Sequence, residues 1–401
     1  MPLLVILIFQ FFLFLSVTAQ ESFLQSVKKL DIGARASLAY DSNIFGISSN
    51  VYADALSTSS TKDELESRDD FILSFSPSVH FSKKVYLVDI TGSAGLSITR
   101  YIKNSKKSFI VPVTTLSLDF DESLKKRLST NAKVRFDATF DLGQHVDTSI
   151  IEQDLVSYTY LSLSANIRYN HSRKFGIGGG TSYTFKDYQS GAIQSYSDLS
   201  TLPLSLRSFY IYSEKLDIYS EYSFTRSISN DDSVNAADSA NHSLSFGLNG
   251  EYSSKLSGKL GLGYAWQDYE WSNISDTSDF VTTIDLAWTH NSKTSSNYFV
   301  NRQFSPSAQG TSMLNTSLGI RLNHKLTDQV RGFSTVSFSD IKYVDKVNNH
   351  SNLDQLGFGI GIDYNLQKSI IIGSSYNYNY IETSKESYDR HTFEIYASGR
   401  F

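Results

Sequence analysis

The sequence predicts an all-β fold: a closed antiparallel transmembrane β-barrel of about 16–18 strands, with short periplasmic turns and longer extracellular loops. Three observations predict it. Apolar and polar residues alternate with period two over segment after segment. The connections between those segments alternate in length. Aromatic residues make up 13% of the chain and collect at segment ends, while proline occurs only 5 times in 401 residues, leaving most of the backbone free to pair.

The chain opens with a run that is apolar from Leu3 to Val17 except at Gln10 and Ser16, and closes it with Val17-Thr18-Ala19. That run falls short of the ~20 residues a spanning helix needs. Its small-residue end suits signal peptidase, although no Lys or Arg precedes it. Residues 1–19 are therefore expected to be a secretory signal peptide and 20–30 a short periplasmic segment, with the barrel occupying 31–401.

The alternation begins at 31–41 and is plain in Thr130 to Leu142. There Ala132, Val134, Phe136, Ala138, Phe140 and Leu142 take one face, and Lys133, Arg135, Asp137 and Asp141 the other. Leu155 to Tyr169 repeats it, with Leu161, Leu163, Ala165 and Ile167 opposite Ser162, Ser164, Asn166 and Arg168. Similar segments run near 70–82, 84–101, 108–121, 173–188, 199–212, 215–228, 241–253, 255–268, 279–289, 294–304, 311–323, 329–343, 351–364 and 369–381. His391 to Phe401 is the last. Segments of this length fit a bilayer crossing, which takes ~9–11 residues, better than the ~5–6 of soluble strands.

One set of connections is tight and polar, as in Asn170-His171-Ser172-Arg173, Ser253-Ser254-Lys255 and Asn291-Ser292-Lys293. The other set is longer and rich in Asp, Asn and Ser: 42–68, 143–154, 187–198, 229–240, 269–278, 304–310, 344–350 and 382–388. Hairpins of a membrane barrel need this alternation, whereas a sandwich has no reason to keep it. Aromatics such as Phe175, Trp266, Trp288 and Tyr364 end the apolar faces, as interfacial girdles would. An open edge in hydrocarbon would leave backbone groups unpaired, so the first strand must pair with the last.

Tyr40-Asp41-Ser42-Asn43-Ile44-Phe45 and the stretch Asp70-Phe71 to Pro77-Ser78-Val79 resemble two signature patches of the putative β-barrel porin-2 family. The end of the chain, with Arg390 and Arg400-Phe401, is similar to that family's end as well. The resemblance covers roughly 30–401. It implies a Gram-negative outer-membrane barrel, of a kind often linked to exopolysaccharide or capsule export, and a terminal Phe401 read as an assembly signal by the barrel-assembly machinery. It transfers no functional residues.

With the apolar face against outer-membrane lipid, the other face lines the interior. The pore-lining candidates are Arg35, Asp89, Lys133, Arg135, Asp137, Arg168, Asp217, Glu221, Asp285, Arg321, Arg331, Asp363, Glu394 and Arg400, among many Ser, Thr, Asn and Tyr. Both signs occur, so no strongly ion-selective ring is expected. Loop 42–68 either folds inward as a constriction or stays an external loop.

Catalysis has little support. The 8 His are scattered, with His171, His290 and His324 in turns and His145 and His350 in loops. No His-Glu-x-x-His run or Gly-x-Ser-x-Gly elbow occurs. Gly176-x-Gly178-Gly179-Gly180 lies inside a strand pattern, where glycine marks close backbone approach or a bend rather than a phosphate loop. Zero cysteines exclude thiol chemistry, and a net charge of −5 gives no reason to expect a nucleic-acid partner. No cofactor or metal is implied. The expected role is a polar aqueous passage for saccharides, polysaccharide or small hydrophilic solutes. The alternatives are an adhesion barrel with ligand-binding external loops and, last, an outer-membrane hydrolase.

Overall fold

A computed structural model describes residues 29–50, 52–53, 66–85, 88–120, 133–149, 154–188, 196, 198–229, 238–270, 275–306, 312–343, 352–383 and 386–401. Side chains at 29, 120, 133–138, 142, 144–149 and 154–155 are outside that description. The expected leader, 1–19, lies outside the described residues.

Among the described residues there are 18 strands. They are β1 (Lys29–Asp41), β2 (Asp70–Val85), β3 (Val88–Tyr101), β4 (Phe109–Phe120), β5 (Lys133–Ser149) and β6 (Asp154–Asn170). Then follow β7 (Phe175–Tyr188), β8 (Leu199–Ser213), β9 (Leu216–Ser229), β10 (Ser239–Glu251), β11 (Leu256–Tyr269) and β12 (Thr277–Thr289). The last six are β13 (Thr294–Pro306), β14 (Ser312–Lys325), β15 (Val330–Tyr343), β16 (Leu353–Gln367), β17 (Ile370–Thr383) and β18 (Ser387–Arg400).

Each strand pairs antiparallel with its sequence neighbours, and β1 also pairs with β18, so the sheet closes. At the seam Ile32 N–H donates to the Phe401 carbonyl and Phe401 N–H to that of Ile32, both at 2.8 Å. Strands run from 12 to 17 residues, enough to cross a bilayer at a tilt.

The register puts the apolar residues of adjacent strands side by side: Leu38 faces Leu73 and Ile395, and Ile320 faces Val336, which faces Phe358. All these side chains are exposed, the outward wall of a barrel that meets lipid. Aromatics ring that wall at both rims. Phe71, Tyr183, Trp266 and Phe280 lie toward the loop ends, and Phe175, Tyr212, Trp288 and Tyr364 toward the turn ends.

The tight turns are closed by their own side chains. Ser172, Ser253, Asn291 and Thr327 each accept the backbone N–H groups two and three residues on, at 2.8–3.2 Å. These Asx- and Ser/Thr-turns explain why the short connections carry those residue types.

Three connections differ from the sequence expectation. The loop expected at 143–154 shrinks to 150–153, because β5 and β6 stay paired from Lys133–Asn170 to Ser149–Asp154. Apolar alternation fades after Leu142, but backbone pairing needs no apolar side chain to continue past the membrane. His145, expected in that loop, consequently falls on β5, and His324, expected in a turn, falls on β14. On the short-turn side, β4 ends at Phe120 and β5 starts at Lys133 rather than Thr130, and the connection 121–132 is outside the described residues.

Candidate functional site

Period two fixes one row of each strand toward the interior, and ion pairs between non-adjacent strands confirm its direction. Arg168 on β6 reaches Asp217 on β9 at 2.7 Å, across β7 and β8. Only the concave face brings strands that far apart within side-chain reach.

The candidate residues fall on this row largely as cross-strand pairs. Arg35 meets Glu394 at 3.0 Å, Arg331 meets Asp363 at 2.7 Å, and Arg400 meets Asp31 at 3.0 Å. Asp89 pairs with Lys84 at 3.1 Å. Glu221 accepts Arg207 Nε at 2.7 Å and has Lys259 Nζ at 3.8 Å. Asp285 faces Lys259 across the β11–β12 register. Lys133, Arg135 and Asp137 occupy the same row of β5 by register, with Asp137 opposite Asp119, but their side chains lie outside the described residues.

A second pattern underlies the charges. Four arginines lie over aromatic rings: Arg35 over Tyr396 at 3.9 Å, Arg168 over Phe209 at 4.1 Å, Arg207 over Tyr219 at 4.6 Å and Arg321 over Phe333 at 4.8 Å. Each ring in turn lies on an inward-row glycine of a neighbouring strand. A Cβ at Gly176 or Gly361 would overlap Phe209 or Phe333, one at Gly373 would come 2.5 Å from Tyr396, and one at Gly247 2.7 Å from Tyr219. The Gly176–Gly180 run is thus a place of close approach, as its strand setting suggested. Glycine leaves room for the ring against the sheet, and the ring supports the guanidinium above it.

The outer end of the interior is different. Tyr101, Val111, Leu199, Met313, Ile341, Leu353, Ile381 and Tyr388 are inward-row residues close to external loops, and all are buried. Residues 43–48 fold into this mouth, with Asn43, Ile44, Phe45, Ile47 and Ser48 at most 3% exposed. The inward alternative for this loop therefore holds for that stretch, whereas the described residues 49, 50, 53 and 66 are exposed.

Its fastening is polar. Asp41 receives Arg390 Nε at 3.1 Å and its terminal nitrogen at 2.6 Å, and also Asn43 N–H at 2.9 Å. The Asn43 side chain closes a turn on Ile47, donating to its carbonyl at 2.7 Å and accepting its N–H at 3.2 Å. Gly46 takes φ 64° there, which a side chain would resist, and its carbonyl accepts Tyr388 Oη at 2.5 Å. Ser48 and Asn50 both donate to Glu386.

On the other flank Asp70 accepts the N–H groups of Ile102, Lys103 and Asn104 at 2.7–2.9 Å. The Lys103 ammonium, 2.7 Å away, and the Ser67 hydroxyl hold the Asp69 carboxyl below its usual pKa. Both family-like patches, 40–45 and 70–79, thus meet at this fastening.

Sequence reasoning missed Arg207 and Lys259, although each stands in the same alternation as the residues it found. It also missed the mouth residues Asp41, Glu386, Tyr388 and Arg390 as a set, since no local pattern links positions so far apart in the chain. Among the described residues no group of three His, Asp or Glu side chains is placed to hold a metal ion.

A closed 18-stranded barrel with a greasy outer wall and a charged inner wall is an outer-membrane barrel of porin type. The chain belongs to the family described as putative beta-barrel porin 2, whose model matches residues 36–400. No sequence among the curated proteins matches it. Among solved structures it is similar to the FrpB iron transporter from Neisseria meningitidis, with 10% identity, a TM-score of 0.45, and coverage of 92% of this chain and 64% of that one. The outer membrane protein opdK from Pseudomonas aeruginosa gives 7%, 0.47, 94% and 99%, and OccAB4 from Acinetobacter baumannii 10%, 0.39, 94% and 98%. The chain spans less than two thirds of the FrpB chain.

Proposed function

We propose that this barrel gives small hydrophilic solutes, saccharides foremost, a polar aqueous passage across the outer membrane, with exopolysaccharide export as a specialised form of the same task. The inner wall carries this reading. A barrel of 16–18 strands leaves room for water, and the turn-side half of this one presents guanidinium, carboxylate, amide and hydroxyl groups to it. The fourteen candidates named from sequence are then pore-lining residues. Because most of their charges are paired across strands, the passage would discriminate weakly between anions and cations. Phe401, whose ring is exposed beside the closing seam, is proposed as the residue recognised by the barrel-assembly machinery.

A second reading is favoured by the packed outer mouth: an adhesion barrel whose loops bind partners and whose lumen stays shut. Planar-bilayer recording of the refolded chain separates the two. A conduit shows open-channel steps that grow when residues 43–50 are replaced by a short Gly-Ser linker. A barrel that stays silent both intact and after that replacement is not a conduit.

A further inference from the structure

The inward row of β7 carries glycine at 176, 178 and 180. The Phe209 ring covers Gly176 and the Asn166 amide covers Gly180, which leaves the wall open beside Gly178. A cavity of about 340 Å³ opens between the Arg168–Phe209 stack and the Arg207–Tyr219 stack, with Ser205 and Asn249 at its sides. A second cavity, about 260 Å³, adjoins it through Tyr219 and Glu221 and is lined chiefly by hydroxyls and amides. The first is near the lower end of the size range of small-molecule sites.

Its chemistry selects a ligand class. Phe209 and Tyr219 are each covered by an arginine and are only 5% and 4% exposed, so neither ring face is open for stacking. What faces the cavity is a pair of clasped ions: Arg168 on Asp217 at 2.7 Å and Arg207 on Glu221 at 2.7 Å. An acidic solute would have to displace a carboxylate that is already seated. A neutral polyol would not. It needs rigid donors and acceptors side by side, and a guanidinium–carboxylate pair offers unused N–H groups beside unused oxygen lone pairs.

We propose that this recess is a binding subsite for one or two rings of a neutral saccharide, whose neighbouring hydroxyls bridge each guanidinium and its carboxylate. The proposal rests on the reading of the barrel as a saccharide passage, so its test uses two separate readouts. Titration calorimetry of the folded full-length barrel in detergent, with maltotriose as probe, reads binding without requiring conduction. Planar-bilayer recording reads passage.

Wild type is expected to bind maltotriose at millimolar strength or better and to bind trigalacturonate at least tenfold more weakly. Ser205→Trp, which fills the recess from its water side, should weaken maltotriose binding at least tenfold while leaving open-channel steps in place. The Arg207→Gln, Glu221→Gln double variant keeps the shapes and removes one clasped pair, so it should weaken binding similarly if Ser205→Trp fails to fold. Equal maltotriose affinity in wild type and either folded variant overturns the subsite, as does a preference for trigalacturonate. Conduction with no maltotriose binding sinks the subsite and leaves the passage standing. Binding without conduction sinks the passage and leaves the subsite.

Discussion

The two ends of the barrel interior are written in the same period-two pattern and do opposite things. Toward the turns, the inward arginines stay wet even where their carboxylate partners are covered: the Arg35, Arg331 and Arg400 side chains are 44%, 51% and 61% exposed. Toward the loops, the Arg390–Asp41 pair is dry on both sides, with Arg390 at 11% and Asp41 at 3%. The difference comes from what covers the row. Near the turns the cover is lumen water. Near the loops it includes the chain's own residues 43–48, whose Ile44 and Phe45 enter a mouth already lined by Leu353, Ile381 and Tyr388. An inward apolar residue at the loop end of a barrel strand is thus a sign of an inserted loop, just as an inward charge is a sign of water.

The sharpest way to break this contrast is to remove one member of each pair. Asp41→Ala removes the carboxylate that pairs with the buried Arg390 guanidinium and accepts Asn43 N–H, so it should destabilise the folded barrel by about 3–5 kcal/mol. Glu394→Ala leaves Arg35 facing water and stacked on Tyr396, and should cost ~0–1 kcal/mol. Reversible urea unfolding into lipid vesicles measures both. Equal costs would mean that the two halves are equally wet.

A second comparison sets glycine against glycine on β15 and β16. Gly361 lies under the Phe333 ring, so Gly361→Val forces the ring and the Arg321 above it off the wall, at about 1–3 kcal/mol. Gly332 lies on the outward row, and a Cβ there meets nothing closer than 3.8 Å. Gly332→Ala should therefore be close to neutral or slightly stabilising. The same unfolding experiment decides it, and a costless Gly361→Val would show that the aromatic stacks do not hold the arginines.

Much of this was legible beforehand because it is local. Alternation located the strands, turn chemistry separated short connections from long ones, and the need to pair every backbone group in lipid required β1 to meet β18. The inward row followed by parity, so Arg168 and Asp217 were found even though their pairing was not. The mouth was illegible for the opposite reason. Asp41 and Arg390 are 349 positions apart, and no periodic rule says that a loop after β1 should turn into the barrel. Tyr40-Asp41-Ser42-Asn43-Ile44-Phe45 was visible as a family-like patch without any indication that its work is to fasten that loop. The end of β5 was misplaced because apolar alternation fades after Leu142 while backbone pairing with β6 continues to Ser149.

The smallest effect concerns the outer rim of the mouth, where the contact between Asp69 and Lys103 is half-exposed and lies outside the membrane-spanning strands. The folded carboxyl titrates below its unfolded value, because the ammonium and the Ser67 hydroxyl favour its charged form. Its contribution is therefore complete above the unfolded pKa, roughly 4 for a carboxylate, and is lost as pH falls through the lower folded value. Lys103 is shifted the other way by the same hydrogen bond, so its share is complete below its unfolded pKa and lost only as pH rises through the raised one. Asp69→Asn should consequently lower the thermal midpoint slightly at neutral pH and leave it equal to wild type once the medium is acidic enough to protonate Asp69. A difference that persists unchanged into that acidic range would mean the asparagine disturbs the loop by shape rather than by charge, and that the rim owes nothing to this ion pair.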